Sequence, residues 1–73
     1  MEAKEQFGAN LRNLRLDVGL TQMELSNRSG LDMAEISRLE SGQRDVRLST
    51  IVRLADGLEV PVRALLDRLG RFA

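Results

Sequence analysis

The chain contains no cysteine, histidine, tryptophan or tyrosine. It therefore forms neither disulfides nor Cys/His zinc sites, and it lacks the usual thiol nucleophile and general base of enzymes. Phe7 and Phe72 are too few for a platform that stacks single-stranded bases or for an RNA-recognition sheet. Since there is also no glycine-rich phosphate loop, we expect no catalytic residue, no metal and no other cofactor.

Long apolar runs are also missing. No stretch approaches the ~20 apolar residues of a membrane span, and the first four residues, Met1-Glu2-Ala3-Lys4, do not begin an apolar signal segment. We therefore expect a cytoplasmic protein with no membrane partner. The 73 residues predict a single domain, 1–73. A core of this size is expected to supply only ~3–5 kcal/mol of net stability.

The chain has no excess of charge of either sign. Its 11 basic and 11 acidic side chains give a net charge of zero, whereas nucleic-acid-binding proteins are more often basic. Neutrality does not exclude DNA binding, because affinity depends on where the basic groups lie rather than on their sum. A DNA interface in this chain must therefore be a local feature.

Leucine is abundant and β-branched residues are scattered, which favours helices over strands. Apolar residues recur at helical spacing in five segments. We predict an all-α, compact five-helix fold with helices over residues 3–17, 22–28, 33–41, 48–56 and 61–69. Gly57 is predicted to end the fourth helix, and Pro61 is predicted to stand in the first turn of the fifth.

The second and third predicted helices have the clearest boundaries. Thr21 and Glu24 have the spacing of a capping box, in which a hydroxyl and a carboxylate satisfy free backbone N–H groups. Asp32 and Glu35 repeat that spacing. Gly30 lies between the two helices and suits a sharp turn, so the segment predicts a helix-turn-helix motif.

Packing positions within this motif follow from residue size and spacing. Ser26 is small enough to let the two helices approach closely where they cross. Ile36 and Leu39 are expected to anchor the third helix in the core. The outward positions are then Met33, Ala34, Ser37 and Arg38.

Several stretches, in order along the chain, match one known pattern. They are Gly19-Leu20-Thr21-Gln22, Glu24-Leu25, Gly30-Leu31, Ile36-Ser37-Arg38-Leu39-Glu40-Ser41-Gly42 and Leu54-Ala55-Asp56-Gly57-Leu58. Over about residues 7–66 the chain thereby resembles the lambda-repressor-like and Cro-like (XRE-type) helix-turn-helix domains of phage repressors and bacterial regulators. The resemblance implies a sequence-specific transcriptional regulator, a repressor, that binds a palindromic operator in double-stranded DNA as a homodimer, with its third helix in the major groove.

The resemblance also implies roles for individual residues. Gln22 matches a glutamine that bonds a phosphate from the start of the second helix. The positions that face base edges correspond to Met33, Ala34, Glu35, Ser37 and Arg38. Arg44 and Arg47 lie in the following loop, where relatives place phosphate-contacting cations. Arg15 and Glu40 match a structural ion pair between the first and third helices.

Met33 and Ala34 replace the glutamine or serine of many relatives. Met33 and Ala34 offer only apolar contact, for instance to a thymine methyl group, whereas the side-chain amide of glutamine bonds adenine. Arg38 is the best candidate for base recognition, because a bidentate contact to guanine is worth ~1–3 kcal/mol of discrimination. Its structural alternative is a helix-face pair with Glu35, worth only ~0.2–0.5 kcal/mol.

Other site residues also have structural alternatives. Gln22 would be a solvated first-turn residue, and Glu35 would be a capping residue rather than an acceptor for a cytosine amino group. Arg44 and Arg47 would be ordinary surface cations.

The expected dimer interface is the fifth helix with the residues after it. Leu65 and Leu69 lie on the apolar face of that helix and are first of all core residues, whereas Phe72 follows Gly70, where it is hard to bury within one subunit. Two alternatives keep DNA as the ligand, namely an antitoxin and a restriction–modification controller. A third alternative, which the zero net charge permits, is a protein-interaction module on a helix-turn-helix fold.

Overall fold

A computed structural model describes residues 1–72. Within that range the chain is all-helical, as predicted. Its helices are α1 (Ala3–Asp17), α2 (Gln22–Ser29), α3 (Met33–Glu40), α4 (Leu48–Leu58) and α5 (Val62–Leu65). The first helix packs against α3 and α5, and α4 packs against α2 and α5. None of the helices described combines the length and the apolar character needed to cross a membrane.

One hydrophobic core joins the helices. Its largest fully buried side chains are Phe7, Leu11, Leu25, Ile36, Leu39, Leu54, Leu58 and Leu65. Burial of one such side chain is worth ~1.5–3 kcal/mol. A helix as short as the eight-residue α3 is marginal in isolation, so its two core side chains, Ile36 and Leu39, hold it in place.

The predicted capping box at the start of α2 is confirmed. The backbone N–H of Glu24 donates to Thr21 Oγ1 at 3.0 Å, and the backbone N–H of Thr21 donates to Glu24 Oε1 at 2.8 Å. The bond from the Thr21 backbone N–H, and after it the side chain of Thr21, lower the pKa of the Glu24 carboxyl below its ordinary value of 4.5. At the other end of α2, Gly30 adopts a left-handed conformation with φ of 74° and turns the chain toward α3.

The start of α3 is stabilised differently from the prediction. Asp32 stands at the N-cap position but accepts no capping hydrogen bond there, so the second predicted capping box is wrong. Two serines of α2 hold the turn instead. The hydroxyl of Ser26 donates to the carbonyl of Leu31 at 2.5 Å, and Ser29 Oγ accepts from the Leu31 N–H at 3.3 Å. Ser26 therefore acts through a hydrogen bond as well as through its small size.

Gly57 does not end α4, as the sequence had predicted, but lies buried inside it. A Cβ atom at this position would stand 3.2 Å from Leu25 Cδ1, so the glycine allows α4 to approach α2 closely. The helix ends two residues later than expected, at Leu58, and Glu59 takes the left-handed conformation with φ of 58°.

The fifth helix is much shorter than the predicted 61–69, since it begins at Val62 and already ends at Leu65. The side-chain amide of Asn10, on α1, donates to the carbonyl oxygens of Leu65 at 3.0 Å and of Asp67 at 2.7 Å. These bonds occupy carbonyls that a continuing helix would use for its own N–H groups. The chain turns there, and Arg68 has a φ of 65°.

Candidate nucleic-acid interface

The outward face of α3 is the centre of the candidate interface. Four of its side chains are exposed, namely Met33, Ala34, Ser37 and Arg38, whereas Glu35 is half-buried. This orientation follows from the burial of Ile36 and Leu39 on the opposite face. The predicted base-facing positions therefore share one surface of the molecule.

A cleft of about 520 Å³ lies between α3, the loop that follows it and the first turns of α4. Its lining includes four arginines, Arg38, Arg44, Arg47 and Arg53. Among residues 1–72, none of these four forms a salt bridge. Three carboxylates, Asp32, Glu35 and Asp45, also line the cleft. Four of the chain's 11 basic side chains are thus gathered beside α3, although the net charge of the chain is zero.

Arg53 is the member of this cluster that was not predicted from the sequence. It lies on α4, one turn after Ser49, and both side chains are exposed and line the cleft. The four-residue spacing of Ser49 and Arg53 is the sequence signal that places them on one helix face. Only the packing of α4 against the rest of the fold shows that this face borders the cleft.

Behind the outward face, Arg15 and Glu40 form a buried ion pair between α1 and α3. Arg15 Nε lies 2.6 Å from Glu40 Oε2, and Arg15 Nη2 lies 3.0 Å from Glu40 Oε1. Arg15 Nη1 also donates to the carbonyl of Leu20 at 2.8 Å, immediately before α2. The hydrogen bonds to Glu40 raise the pKa of the Arg15 guanidinium above its ordinary value, so the guanidinium stays charged.

Gln22 is connected to this ion pair. Its side-chain amide donates to Glu40 Oε1 at 3.1 Å, and the residue is half-buried. This geometry differs from the solvated first-turn residue that was the structural alternative. The amide has a second N–H and an oxygen for other partners. The side chain is therefore held in a defined position at the start of α2.

The three residues of the expected dimer interface lie in different environments. Leu65 is completely buried where α5 packs on α1 and α4, so its side chain offers no surface to a second subunit. Leu69 is half-buried and helps to line an apolar groove of about 280 Å³. Phe72 is 95% exposed. The structure thereby restricts the expected interface to Leu69, Phe72 and the surface around them.

The sequence model of the helix-turn-helix domain family matches residues 6–69 of the chain. The HTH-type transcriptional repressor RghR of Bacillus subtilis (strain 168) is 42% identical over 67 residues, which are 90% of this chain and 50% of that protein. The chain thus spans half the length of this repressor. Control protein C.SmaI of Serratia marcescens is 39% identical over 70 residues, covering 96% of this chain and 83% of that protein.

Solved structures show the same similarity. The restriction-modification controller protein C.AhdI from Aeromonas hydrophila superposes with a TM-score of 0.82 at 42% identity, over 85% of this chain and 94% of that one. The clp gene regulator ClgR from Corynebacterium glutamicum superposes with a TM-score of 0.86 at 30% identity, over 90% of this chain and 86% of that one. The arrangement of α2 and α3 is therefore one that known regulators use.

Proposed function

Because the chain belongs to the helix-turn-helix domain family of DNA-binding transcriptional regulators, we propose that it binds a specific operator with α3 in the major groove and represses transcription there. The observation that carries this proposal is the arginine cleft beside the exposed face of α3. Phosphate contacts supply most of the affinity of such complexes, and groove contacts supply the specificity. The cleft provides a surface for phosphate contacts, and the exposed face of α3 provides a surface for contacts in the groove.

We divide the residues accordingly. Phosphates are proposed to be bound by the second N–H of Gln22 and by three arginines that lie on the loop and on α4, namely Arg44, Arg47 and Arg53. Base edges are proposed to be contacted by Met33, Ala34, Glu35, Ser37 and Arg38. Of these, Arg38 is long, exposed and able to bond guanine in a bidentate manner, so we assign it the strongest hydrogen-bonded recognition.

Two alanine variants test this division and the proposed DNA binding itself. Arg47→Ala is expected to weaken binding to all duplexes alike and to reduce the slope of log affinity against log salt concentration by about 1, since one phosphate contact is lost. Arg38→Ala is expected to lose ~1–3 kcal/mol of discrimination at a single base pair. Fluorescence anisotropy titrations against operator variants at several salt concentrations measure both effects.

Arg12→Ala provides the matched control, because Arg12 is exposed on α1 and does not line the cleft. It should leave the salt slope and the specificity unchanged. If the Arg38 and Arg47 variants behave alike on every duplex, the division into phosphate and base contacts is wrong. An affinity that does not respond to salt would contradict DNA binding and favour a protein-interaction module.

We further propose that the protein binds its operator as a homodimer. A single eight-residue α3 makes few base contacts, whereas the two α3 helices of a dimer, about 34 Å apart along the duplex, make twice as many. Phe72 is almost fully exposed, and it follows by three residues Leu69, which lines an apolar groove together with Phe7, Val46, Ile51 and Leu66. In a twofold-symmetric dimer each groove would receive an apolar group of the other subunit.

Analytical ultracentrifugation of Phe72→Ala tests the dimer. Burial of a phenylalanine contributes ~1.5–3 kcal/mol, and a symmetric dimer buries two, so the variant should dissociate at least ~100-fold more readily than the wild type. Leu16→Ala, which removes an exposed leucine on α1, should leave the dissociation constant unchanged. A wild-type chain that is monomeric at micromolar concentration, both with and without operator, would contradict the proposal.

A second candidate function is control of a restriction–modification system. It is favoured by the similarity to two such controllers, C.AhdI at 42% identity and C.SmaI at 39% identity. Both candidates use the same DNA interface. They differ in the operator, which selection of bound duplexes from random DNA would identify together with its symmetry and half-site spacing.

A further inference from the structure

Exposed apolar side chains are concentrated where α1 ends and where α2 and α3 begin. Leu16, Met23 and Met33 are 52%, 54% and 43% exposed, respectively. All three line a single depression of about 530 Å³, which we call the methionine depression. Soluble proteins rarely leave large apolar surfaces without a partner. The depression is separate from the arginine cleft, and of the ion pair only Arg15 lines it.

The methionine depression adjoins the proposed DNA interface. Gln22, which is held by Glu40, lines it, and Met33 is the first residue of α3. Ala34, which follows, is also exposed and apolar. The part of α3 proposed to enter the groove first therefore presents no strong hydrogen-bonding group to the bases.

The chemistry of the major groove limits what such a surface can recognise. Each base pair presents hydrogen-bond donors and acceptors there, and the one apolar feature is the methyl group on C5 of thymine. A donor or acceptor facing Met33 would lose its bond to water without replacement, which is costly. A methyl group has no such bond to lose, and the flexible thioether can adapt to its shape.

We propose that the methionine depression receives the C5-methyl group of a pyrimidine, so that the protein recognises one methylated pyrimidine in each half-site. This inference rests on the proposed function, since it requires α3 to lie in the major groove. The methyl group has two sources, thymine and 5-methylcytosine, which carry it at the same ring position. Recognition of either is expected through Met33, with Met23 and Leu16 forming the remaining apolar wall.

The test uses the full chain and a duplex selected from random DNA by its binding. Thymines of the half-sites are replaced by deoxyuridine one position at a time, which removes only the methyl group, and dissociation constants are measured by fluorescence anisotropy. At one position in each half-site, loss of the methyl group is expected to weaken wild-type binding about four-fold per methyl group. This factor corresponds to the ~0.8 kcal/mol that burial of one methylene-sized group contributes. At that position, 5-methylcytosine paired with guanine should bind about four-fold more tightly than cytosine paired with guanine.

Met33→Gln is the decisive variant, because glutamine has a similar length and is a good helix former at this exposed site. It should abolish the methyl dependence at that position. Val52→Ala is the control: Val52 is also apolar and 43% exposed, but it lies on α4 outside the depression, so the methyl dependence should remain.

A methyl effect in the thymine series alone would support the proposal and identify thymine as the source. Salt-dependent, sequence-specific binding with no methyl effect, or with the same effect in Met33→Gln, would overturn methyl recognition while the proposed function stands. The methionine depression would then be a surface for a protein partner. If no duplex binds in a salt-dependent manner, the proposed function fails, and methyl recognition fails with it.

Discussion

Replacement of Glu40 by alanine is expected to leave much of the chain unfolded at room temperature. The side chains of Arg15 and Glu40 are only 10% and 5% exposed, so the variant would leave a buried guanidinium without its carboxylate partner. Loss of one partner of a buried ion pair costs ~3–5 kcal/mol. The core of so small a domain supplies about the same amount, ~3–5 kcal/mol. Urea titration followed by circular dichroism measures the free energy of unfolding directly.

The double variant Arg15→Met/Glu40→Leu separates the cost of an unpaired charge from the value of the pair. Removal of both charges leaves no buried ion without a partner, and an intact buried pair often adds little net stability. We therefore expect the double variant to be more stable than Glu40→Ala. If Glu40→Ala unfolds at the wild-type urea concentration, the ion pair is not the buried contact described above.

Replacement of Gly8 by alanine is expected to destabilise the fold by ~1–3 kcal/mol or more, the range found for overpacked cores. Gly8 lies in α1 where this helix crosses α3. An added Cβ atom would overlap the carbonyl oxygen of Leu39 and stand 2.8 Å from that of Glu40. Both neighbours are backbone atoms, so the two helices would have to separate. The midpoint of thermal unfolding should fall accordingly.

The sign of this effect is informative, because alanine in a helix is otherwise favoured over glycine by ~1 kcal/mol. Gly57→Ala is the matched control. There the nearest atom is the flexible Leu25 Cδ1 at 3.2 Å, so we expect a change close to zero. A stabilised Gly8→Ala protein would show that α1 and α3 cross with enough space for a Cβ atom at this position.

The sequence by itself determined the features that depend on neighbouring residues. Apolar periodicity identified five helices, and the capping pair Thr21 and Glu24 marked the start of α2. Gly30 marked the turn into α3, because only glycine adopts its left-handed conformation at no steric cost. Burial of Ile36 and Leu39 then assigned the outward face of α3.

Tertiary structure decided the features that depend on residues far apart in the chain. Asn10 ends α5 by bonding carbonyls 55 and 57 residues away, so the apolar pattern of 61–69 suggested too long a helix. Packing of α5 also decided between the two expectations for Leu65, because its side chain is completely buried in the core. Gly8 is required by the crossing of α1 with α3, not by its own helix.

The candidate DNA interface combines both kinds of information. The resemblance of α3 and its loop to known helix-turn-helix domains indicated Arg38, Arg44 and Arg47, but the packing of α4 added Arg53 to their cleft. Likewise, Met23 and Met33 are ten positions apart and join one apolar depression only because α2 and α3 begin side by side. Spacing along a helix shows which side chains share its face, whereas the surface that two helices build together depends on how they pack.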